Sequence, residues 1–107
     1  MTDTRTDLQT LAYEANVRRE KIAARDDAMS VAMKNQRFAS RLRNSAQREF
    51  DRAVDMHEDF TDDGRTTIDA IRNKARTDLR LAERIEDTAQ FYKRRYMELQ
   101  YELLDGL

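Results

Sequence analysis

From residue 66 onward the apolar positions recur every seven residues. Ile68, Ala75, Ala82, Ala89, Tyr96 and Leu103 fall at one position, and Ile71, Asp78, Ile85, Tyr92 and Leu99 at a second, where Asp78 alone departs from the pattern. This period predicts an amphipathic helix over about 66–105. Thr66 is a candidate N-cap, Asp69 three residues on a weaker form of the capping box, and Gly64 the residue that releases a turn over 61–65. Upstream the stripe is looser but continuous: Leu8, Leu11, Ala15, Ile22, Met29, Ala32, Ala39, Ala46, Phe50, Ala53 and Phe60. Nothing between them breaks a helix, so a first helix over about 5–60 is expected. Asp26-Asp27 with Ser30 is the one place where a new helix could start, which leaves a three-helix topology as the alternative.

Doubling the second helix back at the turn, with Phe60 opposite Ile68, sets Ala53 against Ala75, Ala46 against Ala82 and Ala39 against Ala89. The fold class is therefore all-α: a long antiparallel helical hairpin, coiled-coil-like, with an Ala-rich seam that allows close axes. In that register the first 20 or so residues have no facing partner, yet Leu8, Leu11, Ala15 and Ile22 still form a stripe. A lone amphipathic helix is marginal, so this stripe is a candidate docking surface. A second stripe on the first helix (Ala24, Ala28, Val31, Phe38, Leu42) and Leu81 with Phe91 on the other lie on one flank outside the seam. Tyr92, Tyr96, Met97, Tyr101 and Leu104 add an apolar C-terminal segment of the composition found at interfaces. A hairpin with this much apolar surface is expected to pair into a four-helix or larger bundle, as a homo-oligomer.

Composition narrows the classes. The chain has 107 residues, 38% of them charged, with no proline and no cysteine. That is one domain with a thin core, no disulfide framework and no thiolate chemistry. The charged opening and the lack of any long apolar run lead to the expectation of no signal peptide, no membrane span and a cytoplasmic location. Net charge is −1, with 16 Arg against 4 Lys. From Ala28 to Arg48 every charge is positive. Lys34, Arg37, Arg41, Arg48 and Arg52 follow one outer face of the first helix, and Arg72, Arg76, Arg80 and Arg84 the outer face of the second. Arg suits phosphate and carboxylate forks, so a nucleic acid or an acidic protein is the alternative partner. Because outward faces of paired helices diverge, one duplex would not span both rows.

Catalytic constellations are not visible. His57, the only histidine, has no orienting partner or pocket in a hairpin, and Asp78 is the only inward carboxylate, expected to pair with Lys74 one turn earlier. Asp55, Glu58, Asp59, Asp62 and Asp63 lack the spacing of a calcium loop. Neither a catalytic residue, a metal, a cofactor nor a small-molecule substrate is implied. Tyr101-Glu-Leu-Leu-Asp105 resembles the Tyr-x-x-x-Asp/Glu export signal late in the second helix of the small hairpin proteins secreted by type VII systems. The Trp-x-Gly turn of that family is absent, and the resemblance spans five residues. The leading expectation is a non-enzymatic assembly protein that self-associates through Val31, Phe38, Leu42, Leu81 and Phe91 and docks through its N-terminal stripe and aromatic C-terminal segment on a larger complex, such as a virion or a secretion apparatus. A charge-driven regulator comes second and a type VII-like exported hairpin third.

Overall fold

The computed structural model describes residues 4–56 and 62–105. Helices α1 (Thr4–Asp55) and α2 (Asp62–Asp105) form an antiparallel hairpin, and no strand occurs among the described residues. α1 passes unbroken through Asp26-Asp27 and Ser30, so the three-helix alternative is not realised. Each of these residues costs at most about 0.7 kcal/mol relative to Ala in a helix interior. The buried Ala28 and Ala32 hold this stretch against α2.

The ends differ from the periodicity. α1 stops at Asp55, with the Met56 N–H donating to the Arg52 carbonyl at 3.1 Å. α2 begins at Asp62, so Gly64 and Thr66 are helical residues and neither turn nor cap. A glycine inside a helix costs about 0.5–1 kcal/mol against alanine, and acidic residues at the start are favoured by the helix dipole. His57, Glu58, Asp59 and Phe60 lie outside the described residues.

Two compact units are present, each pairing a stretch of α1 with a stretch of α2. One comprises residues 33–89 and the other residues 1–32 with 90–107. In the first, Ala39, Ala46 and Ala53 from α1 and Ile68, Ile71, Ala75, Ala82 and Ala89 from α2 are buried. Asn35, Leu42 and Glu49, three residues after successive buried or seam positions, are half-buried, as are Asp78 and Ile85. The Ala-rich seam is thus present, and at its Ala53 end the contacts depart from the register counted from Phe60. Ala53 packs with Ile68 and Ile71, and Met56 lies against the same cluster. The Glu49 carboxylate meets the Lys74 ammonium at 3.6 Å. Both contacts lie about half a heptad from the register counted from Phe60, and at this end of the seam they set the small Ala53 beside the larger Ile68 and Ile71. Facing methyl groups alone would leave unfilled space; an isoleucine entering the gap beside an alanine restores close packing.

In the second unit Ala28, Ala32, Leu99 and Leu103 are buried. The Arg25 guanidinium donates to Gln100 Oε1 at 2.9 Å, and the Arg18 guanidinium to the Leu103 carbonyl at 3.4 Å. Lys21 and Glu102 form an ion pair at 3.6 Å. These contacts carry the same half-heptad shift, so the end of α2 reaches as far along α1 as Arg18. Ile22, placed in the free stripe by the sequence pattern, is consequently half-buried.

Candidate interaction surfaces

α1 outruns its partner. Every residue from Asp7 to Asn16 is exposed, including Leu8 and Leu11 at 61% each and Tyr13 at 69%. At the step where α2 ends, Leu11, Ala15, Val17, Lys21 and Leu103 border an open groove of about 550 Å³. Of the stripe expected to dock, Leu8, Leu11 and Ala15 are exposed and Ile22 is drawn into the hairpin.

The last turns of α2 divide by helical face. Leu99 and Leu103 are buried, Tyr92 and Tyr96 half-buried, and Met97, Tyr101 and Leu104 form an exposed outer stripe at i, i+4 and i+7. Phe91 is exposed and meets Tyr92 edge-to-face, with ring centroids 5.3 Å apart. Tyr101 and Asp105, the pair of the export-signal resemblance, are both exposed. Of the flank residues, Phe38 and Leu81 are exposed, whereas Leu42 and Val31 are half-buried. Leu42 belongs to the seam, three residues beyond Ala39, and not to the outer stripe.

Charge is distributed by side. Arg43 and Glu86 form a bidentate pair, with the Arg43 Nη2 donating to Glu86 Oε2 at 2.8 Å. Glu86 is held below the usual carboxylate range by that hydrogen bond, and Arg43 is raised by the same contact. On the other side of the seam Glu49 is shared by Lys74 and by Arg52, the latter at 4.0 Å. Lys74 therefore turns across to Glu49, and the pairing with Asp78 expected from the sequence does not form. Lys34, Arg37, Arg41 and Arg48 are exposed and carry no ion pair among the described residues. Along α2 the i, i+4 arginines drift around the helix, Arg72 being half-buried and Arg76, Arg80 and Arg84 exposed.

Among the described residues no group of three or more His, Asp or Glu side chains gathers to hold a metal, and no helix is long and apolar enough to cross a membrane. No protein-family model matches the chain, and no match is found among curated proteins or solved structures.

Proposed function

We propose that this protein is a non-enzymatic assembly module, a helical hairpin that self-associates and docks on a larger protein complex. The observation that carries this reading is an inversion of the usual size order. The seam is built mainly from alanine, and among the described residues no large side chain is fully buried, while Leu8, Leu11, Phe91, Tyr101 and Leu104 stand in solvent. Large apolar side chains left in solvent in this number support a contact surface. Self-association falls to the unit containing both termini, where the α1 overhang and the Met97–Tyr101–Leu104 stripe expose aliphatic and aromatic groups among mixed charges. A second copy is disfavoured at Phe38 and Leu81, because a two-fold contact would set Lys34, Arg41 and Arg48 against their own kind.

Light scattering across the micromolar range tests this. The wild type should give a mass above that of one chain, and Leu8→Asp/Leu11→Asp should reduce it while leaving helicity unchanged. A wild type that stays monomeric, or a double variant that keeps its full mass, removes the self-association. The second reading, a charge-driven regulator, is favoured by the unpaired cations of α1 and makes binding salt-dependent.

A further inference from the structure

The ion pairs fix which side of the 33–89 unit each exposed residue occupies. Arg52 and Lys74 both reach Glu49, so they lie on the same side of the seam. Phe38 is two heptads before Arg52, and Leu81 one heptad after Lys74. Heptad-related residues share a face, so Phe38 and Leu81 lie on that side too, bordering the groove between α1 and α2. Both are partly open to solvent, at 48% and 43%. Lys34, Arg41 and Arg48 run along the α1 border of this face and Arg84 stands on its α2 border. Arg43 and Glu86 neutralise each other on the opposite side. Between Lys34 and Arg52 the only α1 carboxylate on the cationic side is Glu49, which Arg52 and Lys74 already engage; on α2 the half-buried Asp78 lies at the seam edge.

From this arrangement we infer that the Phe38–Leu81 face of the 33–89 unit binds an acidic amphipathic helix of another protein, laid along the α1–α2 groove as a third helix. The inference deepens the assembly reading by naming the partner that docks, and it rests on that reading. Its chemistry is complementary at each row. Apolar residues of the incoming helix cover Phe38 and Leu81, and its flanking carboxylates meet Lys34, Arg41 and Arg48 without displacing an existing ion pair. Spacing separates a helix from a nucleic acid. The three cations recur every seven residues, about 10.5 Å at 1.5 Å per residue, the interval at which a partner helix repeats its own flank. A nucleic-acid strand presents a phosphate every ~3.4 Å along the axis, so most of its charge would meet no cation, and the central Leu81 offers no stacking surface.

The test uses the full chain and a fluorescently labelled synthetic peptide with leucine along one stripe and glutamate at heptad intervals on both flanks. Anisotropy should show binding that weakens with salt. Arg41→Glu/Arg48→Glu and Phe38→Ser/Leu81→Ser should each reduce affinity by about tenfold or more, on the order of 1.4 kcal/mol. Arg76→Glu/Arg80→Glu, an equal charge change elsewhere, should leave affinity near the wild-type value; all variants should keep wild-type circular dichroism. The inference is overturned if the peptide does not bind, if both charge reversals weaken it equally, or if a single-stranded oligonucleotide binds in its place with Phe38→Ser/Leu81→Ser silent. Mass measured on the same preparations separates the two readings. A monomeric chain that binds the peptide removes only self-association, and an oligomer that does not bind it removes only this face.

Discussion

At Ala46 and Ala82 the accessible surface is nil, and the space available is that of one methyl group. A larger residue there must push the helices apart or leave its rotamer. Ala46→Leu or Ala82→Leu should therefore lower stability by about 1–3 kcal/mol, read as a drop in the urea midpoint. Ala23→Leu, on an exposed position of the same helix, should stay within about 0.5 kcal/mol. The Arg43–Glu86 pair makes a smaller, pH-dependent contribution. Because the hydrogen bond from Arg43 keeps the Glu86 carboxyl below its ordinary value in the folded state, the unfolded chain takes up this proton first as pH falls. The pair's stabilisation is present at neutral pH and lost through the acid carboxylate range. Glu86→Gln should thus be less stable than wild type at neutral pH, by a small amount since both groups are exposed. Urea titrations should show the gap closing on acidification; a gap independent of pH would assign the loss to packing.

At the scale of the helices, the period-seven pattern of α2 was legible because apolar residues recur with Asp78 as the single departure, and in the row from Ile68 to Leu103 every residue is buried except the half-buried Tyr96. The register was less legible. Counting from Phe60 places Ala53 opposite Ala75, but the space beside Ala53 is filled by Ile68 and Ile71. The further reach of α2 along α1 moved Ile22 out of the free stripe, and Leu42, three residues after the buried Ala39, is half-buried and not on the outer flank. The helix ends were misread for a local reason: Gly64 carries a turn signal, yet a single glycine is a small cost within the 44 residues of α2. One end remains electrostatically poor. α2 has no basic residue in its last turn, and Asp105 sits at the negative pole of the helix dipole. Asp105→Lys should raise stability by about 0.3–1 kcal/mol at low ionic strength, seen as a higher urea midpoint that salt diminishes. No change at low salt would show that the last turn does not contribute to the cooperative transition.

For the molecule as a whole, the hairpin has a core of methyl groups flanked by Ile, Leu and half-buried Tyr, and the apolar area that would stabilise a globular domain of this length is left on its surface. Under the proposed self-association, burying that area against another copy stabilises the folded state by mass action and links folding to association. The melting temperature of the wild type should rise with protein concentration, whereas Leu8→Asp/Leu11→Asp should melt lower and at a temperature independent of concentration. Both substitutions fall on exposed positions of α1, so in a chain that folded alone they would leave the transition nearly unmoved. Differential scanning calorimetry over a wide concentration range distinguishes the two cases. A concentration-independent wild type would mean that the alanine seam alone supports the fold, and the overhang would then be free to serve only the larger partner.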